Sequence, residues 1–343
     1  MSNSTGQSSG TGVRPSRSAR PVPPPASGPG KAQGAVVRRF RGPGRKAGEN
    51  TGREFRGLVS PHTLNTTRGR VIYWAVLVTV VVSFTVIFVF PLYWMVTGAL
   101  KSPEDLAQMP PSLFPESLNF DVYKEAWDQL DLGLFLRNTV VYAAGAWLFT
   151  LAVDVSAAYA LSKLRPVLGK AVLGLMLSTL MIPPMVILLP AYLTVKDLPI
   201  FGWNLLNTPW AIWLPAAANG FFIFLLKRFF DSIPRELLEA AEMDGATPAR
   251  ILWSIVLPVS RPILGVVSIL SVMNVWKDFV WPLLVQPDTD KMPISVGISS
   301  LSAQMPQNVL MAALVIASIP AIVIFLFFQR SIMAGLTAGS LKG

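Results

Sequence analysis

Few side chains in this sequence could do chemistry on their own. Three ionisable residues stand inside long apolar runs: Asp154, and the neighbours Lys277 and Asp278. A charge placed in hydrocarbon costs on the order of a few kcal/mol, so such residues mark ion paths, water-filled cavities or contacts with a partner. Trp276 and Trp281 flank the second of these sites. Their flat faces suit the stacking of sugar rings, and Trp near an interface is also a plain membrane anchor. The chain has no cysteine and a single histidine, His62, in a polar stretch. Disulfides, thiolate metal sites, histidine clusters and histidine acid–base catalysis therefore have no basis here. An enzyme would be left with Ser or Asp chemistry. No Gly-x-x-x-x-Gly-Lys-Ser/Thr loop occurs, so nucleotide is not bound by that route.

The elements that must position these residues are apolar. The 343 residues are 52% hydrophobic and 14% charged, against about 25% charged in soluble domains. Six apolar runs, at about 71–96, 138–161, 171–192, 209–229, 262–285 and 308–329, each approach or exceed the roughly 20 residues that a helix needs to cross a bilayer. Pro183, Pro184 and Pro190 predict a kink in the third. Ala143 to Ala146, and Ala216 to Ala218 with Gly220, offer small residues for close helix packing in the second and fourth. Asp154 lies 16 residues from the outer end of its run and Lys277 eight from the outer end of its own, roughly 24 Å and 12 Å at 1.5 Å per residue. That offset argues against a pair between them. Asp154 is expected to face a wet cavity, a partner or nearby Ser and Tyr groups. Trp276, Lys277, Asp278 and Trp281 are expected to border a pathway in the outer half of the membrane.

Charge is unevenly placed. Residues 1–70 hold 13 Lys/Arg and two Asp/Glu, a net of +11, while the rest sums to −1. Ser, Gly, Pro and Arg dominate this tail, too few apolar residues to fold, so it is expected to be disordered. It does not resemble a secretory signal. The basic residues bear on membrane orientation and anionic lipid headgroups rather than on nucleic acid. The tail, Lys163/Arg165/Lys170 and the 230–261 loop are basic, whereas 101–137 carries seven acids against three bases. The positive-inside rule puts both termini and the 230–261 loop in the cytoplasm. In the outward 101–137 loop, Asn119 is placed to cap a short helix ending near Leu130.

One polar stretch, Glu239 to Pro258, reads as two short helices around a tight turn. Asp231 or Ser232 is predicted to cap the first, with Pro234 in its first turn. Asp244-Gly245 stops it, because Gly accepts the left-handed conformation. Thr247-Pro248 restarts it as cap and first residue, and Pro258 and Pro262 end it.

This stretch resembles the signature loop of the membrane subunits of binding-protein-dependent ABC importers: Glu239-Ala240-Ala241, Asp244-Gly245-Ala246 and Ile255-Val256-Leu257-Pro258. Further matches to the maltose-type sugar-permease branch cover about residues 71–343. They include Asn138-Thr139, Ala157 to Leu161, Leu206-Asn207-Thr208 and Trp276-Lys277-Asp278-Phe279, with Lys277 where the family usually has Asn. The resemblance implies an all-α integral membrane protein of the type I importer permease fold: a 71–343 domain of six spans with a coupling loop at about 230–261. It implies a multi-pass subunit of a bacterial plasma membrane that moves a sugar or oligosaccharide by alternating access and is not itself an enzyme. It also implies partners. These are an extracellular binding protein, a second permease chain, membrane lipid and an ABC ATPase dimer that carries ATP and Mg, leaving this chain without cofactor or metal. Glu239, Ala240, Ala241, Asp244, Gly245, Ala246, Leu257 and Pro258 would then couple to the ATPase. The alternative is a stand-alone secondary transporter that couples transport to ions through Asp154 and Asp278. Against it, no inverted repeat of the apolar runs is visible and the signature loop would have no role.

Overall fold

A computed structural model describes residues 66–340, and the side chains of residues 66–329. The expectation for the tail concerns residues 1–70 and lies almost wholly outside them. The described chain is helical, with no strand beyond one isolated bridge, Leu198 to Trp203. In chain order the helices are α1 (Thr67–Ala99), α2 (Pro103–Ala107), α3 (Asp121–Gln129), α4 (Leu132–Tyr159), α5 (Gly169–Thr179), α6 (Pro184–Lys196), α7 (Trp210–Ala216) and α8 (Gly220–Asp231). They are followed by α9 (Arg235–Met243), α10 (Pro248–Ile251), α11 (Arg261–Lys277), α12 (Val280–Val285), α13 (Ile294–Leu301) and α14 (Gln307–Ser340). A π-helical turn, Ala160–Leu164, extends α4; another, Leu252–Val256, carries α10 into Leu257–Val259.

The apolar runs become two kinds of element. Three are continuous helices long and apolar enough to cross a membrane: α1, α4 with its π turn, and the 307–329 part of α14. The other three meet bends: α5 with α6 at 105°, α7 with α8 at 45°, and α11, the start of the fifth run, with the 248–259 part of the polar loop before it at 83°. The kink expected at Pro183-Pro184 is a full break, in which Pro184 opens a new helix. A proline at the first helical position gives up no bond, so the chain restarts where it can no longer continue. The 262–285 run also divides, at Asp278 and Phe279. The second run begins earlier than its hydropathy suggests, at Leu132.

Two caps differ from the sequence reading. α9 has Pro234 at its N-cap and no side-chain cap. Asp231 is the last residue of α8, held by Ser162 (2.7 Å) and Lys227 (2.7 Å), and the Ser232 hydroxyl turns back to the Phe229 carbonyl. Asn119 accepts from the Asp121 N–H at 3.1 Å, so it supports the start of α3 one residue before the cap position.

α4 is the central post. One end packs with α3, α13 and α14 around Val122, Leu132, Phe135, Val296 and Ala312. The other packs with α8, α9, α10 and α11 around Ala158, Leu226, Phe230, Ile251 and Val267. Between them Tyr142, Ile212 and Val285 bind α4 to α7 and α12. Gly145 permits the approach to α7, because a Cβ there would overlap the Trp213 indole. α1 is different: it is apolar all round and exposed along nearly its whole length until Gly98 and Ala99. A helix apolar on every face needs lipid or another protein around it.

Candidate functional site

At one end of the bundle the polar stretch forms a helix, a reversal and a second helix. Gly245 has φ +76°. Its N–H donates to the Glu242 carbonyl (3.0 Å) and the Ala246 N–H to the Ala241 carbonyl (2.9 Å). This pair of bonds is the Schellman arrangement, which needs the left-handed residue that Gly supplies without strain. Thr247 then accepts from the Arg250 N–H at 3.3 Å, and Pro248 opens α10. The π turn at Leu252–Val256 moves the backbone bond of Leu257 to Leu252, and Pro258 follows it.

This unit is amphipathic toward the bundle. Leu238, Ile251 and Val256 are buried, each stabilising by about 1.5–3 kcal/mol where the surroundings are aqueous. Glu239, Ala240, Asp244 and Gly245 are exposed, Ala241, Ala246 and Leu257 half-buried, and Pro258 exposed. Met243 stands 90% exposed beside the reversal and Trp253 71%. Three bonds from the end of α4 grip the loop. The Tyr159 hydroxyl donates to the Pro248 carbonyl (2.9 Å), Ser162 to the Asp231 carboxylate, and Lys163 to the Ile233 carbonyl (3.3 Å). Beneath them lies a cleft of about 440 Å³ with Lys163, Arg165 and Arg235 facing Glu239 and Glu242. Among the described residues the ion pair within 4 Å is Lys227–Asp231, so Glu239 is in none.

The second region is a cavity of about 490 Å³ bordered by α4 to α8, α11 and α12. Asp278 and Trp281 line it; Trp276 and Lys277 do not. Trp276 is buried elsewhere in the packing and Lys277 is exposed. Adjacent residues on a helix point about 100° apart, and the helix ends between Lys277 and Asp278. The four residues expected together are thus divided in two.

Asp154 is fully buried and does not line the cavity. It works on the backbone behind it. The α7–α8 break frees polar groups on both sides, and α4 supplies partners one turn apart. Thr150 donates to the Ala216 carbonyl (2.8 Å), and Asp154 accepts from the Asn219 N–H (3.0 Å). Pro215, without an N–H, leaves the Ala211 carbonyl free, and the Trp281 indole donates to it at 2.9 Å. Broken helices at membrane depth are tolerated only where neighbours satisfy the freed groups in this way. At the next break Ser295 plays the same part, donating to the Asp278 carbonyl at 2.8 Å. Thr150, Asn219 and Ser295 were not singled out in the sequence, where hydroxyls and amides in apolar runs carry no mark of their partners.

At the far end, the Asn138-Thr139 and Asn207-Thr208 pairs hold the 285–294 segment. Asn138 donates to the Asp290 and Met292 carbonyls, Thr139 accepts from the Ile294 N–H, and Asn207 accepts from the Asp288 N–H. Among the described residues no group of three His, Cys, Asp or Glu gathers as it would around a metal.

Apolar helices broken around a mostly apolar cavity with a few polar groups, and a gripped helix-reversal-helix at one end, define a polytopic membrane protein of the transport type. The fold is that of the type I ABC importer permeases. It matches a chain of a bacterial ABC transporter involved in the import of the acidic polysaccharide alginate with a TM-score of 0.68 at 24% identity, covering 77% of this chain and 98% of that one. Residues 140–337 match the family model of the binding-protein-dependent transport system inner membrane component, and the chain belongs to that family. Among its relatives is the probable ABC transporter permease protein YurM of Bacillus subtilis, 34% identical over 76% of this chain and 86% of YurM. Another is the melibiose/raffinose/stachyose import permease protein MelC of the same organism, 31% identical over 74% of this chain and 91% of MelC.

Proposed function

We propose that this chain is the permease subunit of an ATP-driven importer of a sugar or oligosaccharide. An extracellular binding protein delivers the cargo, and a second permease chain completes the path. A dimeric ATPase on separate polypeptides binds the nucleotide, leaving no cofactor on this chain. Residues 71–343 form the domain, with six spans, both termini and the 230–261 loop in the cytoplasm. The sugar cargo rests on the similarity to MelC.

The observation that carries the coupling part of this reading is the exposed ridge around Gly245. Ala240, Met243 and Asp244 stand free of the bundle, Glu239 is exposed at the rim of the cleft, and Leu238 and Ile251 fasten the loop to the bundle. Ala240 and Ala241 permit close approach of another protein. Closure of the ATPase dimer would move this loop, and the bonds from Tyr159, Ser162 and Lys163 would pass the motion to α4. α4 packs on the broken α7–α8 pair, so a rigid rocking of α4 would reshape the cavity.

The ion-coupled alternative is disfavoured by the two acids it would use. Asp154 is fully buried away from the cavity and accepts from the Asn219 N–H, and Asp278 stands at a helix break with its carbonyl held by Ser295. Inside-out and right-side-out membrane vesicles containing the whole complex separate the two readings. Uptake is expected to need ATP and binding protein and to survive a protonophore. Uptake that persists without ATP and collapses with the ion gradient would overturn the proposal.

A further inference from the structure

We propose that the cavity of about 490 Å³ is built for an uncharged, hydroxyl-rich ligand and rejects anions. This rests on the reading of that cavity as part of the transport path and adds the charge class of the cargo. Its volume lies in the range of small-ligand sites.

Three observations carry it. Among the described residues no Lys, Arg or His lines the cavity, and one carboxylate, Asp278, does. The helix N-terminus that opens beside it is largely occupied: Asp154 takes the Asn219 N–H, and the Asn219 side chain takes those of Phe221 (3.0 Å) and Phe222 (3.2 Å). A free helix N-terminus is a ready anion site, and here that capacity is used internally. Finally, Ser271 and Asn274 border the cavity with no hydrogen-bond partner among the described residues, although Ser271 is only 4% exposed. Ser271 and Asn274 follow one face of α11, three residues apart, and Asp278 comes just past the end of that helix. They set out a hydroxyl, an amide and a carboxylate in a row.

Such a row exchanges hydrogen bonds with sugar hydroxyls, which both donate and accept. A sulfate, phosphate or uronate finds no cation among the described lining residues and meets a like charge. The relative that imports melibiose, raffinose and stachyose and the structural neighbour that imports an acidic polysaccharide stand on opposite sides of this division.

The absence of native cysteine permits a direct test. Asn274→Cys is placed in the full chain, assembled with its complex in vesicles. It is reacted with cationic, neutral and anionic methanethiosulfonates, each rate being divided by that for free 2-mercaptoethanol. The cationic reagent is expected to exceed the anionic one by about tenfold, as one nearby carboxylate at intermediate dielectric implies. Adding Asp278→Asn is expected to bring the ratio near one. Ser271→Cys repeats the reading should the double variant fail to assemble. Equal or faster reaction of the anionic reagent, or no reaction with any reagent at both positions, would overturn the proposal. The rates do not depend on transport, so absent ATP-driven uptake with the charge ratio intact would count against the importer reading alone.

Discussion

Asp154 shows how a single buried acid divides two kinds of transporter. Its carboxylate supports the α7–α8 break by accepting from the Asn219 N–H, and its second oxygen is buried without a partner. Asp154→Asn keeps an accepting oxygen for the Asn219 N–H, so transport is expected to survive. Asp154→Ala leaves a buried N–H unpaired and is expected to cost about 1–2 kcal/mol, read as a lower melting temperature of the detergent-solubilised complex. Loss of uptake in Asp154→Asn at normal stability would return the residue to an ion path. The sequence marks Asp154 as exceptional because it is an acid in an apolar run, yet its partner is a backbone group 65 residues away at a break that no strong local signal announces. Trp281 carries a second lesson of the same kind. As an aromatic beside Asp278 it reads as a stacking face or an anchor, while the fold gives its indole N–H to the carbonyl freed by Pro215. Trp281→Phe keeps the apolar face and is expected to lower stability by about 1 kcal/mol, measured in the same melting experiment.

Among elements, the 235–259 unit is the one most fully written in its own residues. Gly245 in the left-handed region, Thr247 as cap and Pro248 at the first helical position are local choices, each enforced by backbone geometry within a few residues. Gly245→Pro removes the N–H bonded to the Glu242 carbonyl and fixes φ near −65° where +76° is required. Glu239→Lys reverses a charge beside Lys163, Arg165 and Arg235. Both variants are expected to insert at normal levels and to lose transport at least tenfold, measured as uptake against membrane-protein abundance. Normal uptake with normal stimulation of the ATPase in both would remove the loop from the mechanism. What the local residues do not encode is where the unit attaches. Asp231 and Ser232 have the chemistry of caps, but Ser162 and Lys227 claim Asp231 from across the fold and from one turn back. The π turns at Ala160–Leu164 and Leu252–Val256 likewise carry no pattern of their own; each lies where α4 and the loop meet.

At the scale of the whole molecule, apolar run length locates the membrane-length segments but not their shape. The 138–161 run, which has no proline, becomes a continuous helix, whereas Pro183-Pro184 and Asp278 mark breaks that depend on neighbours to satisfy the backbone. The chain is also incomplete as a packed object. α1 is apolar and exposed along most of its length, and the Gly245 ridge is exposed at the other extreme. The first suits lipid or a second permease, the second a soluble ATPase. The most direct measurement uses Met243→Cys in this cysteine-free chain, since Met243 is 90% exposed beside the reversal. In the assembled complex a short bifunctional thiol–amine reagent added from the cytoplasmic side is expected to join position 243 to the ATPase subunit. The yield should change when ATP binds, and an impermeant thiol reagent added from outside should not reach it. Labelling from outside, or a complex active in transport whose position 243 joins no ATPase in any nucleotide state, would contradict the coupling of this chain to ATP through its signature loop.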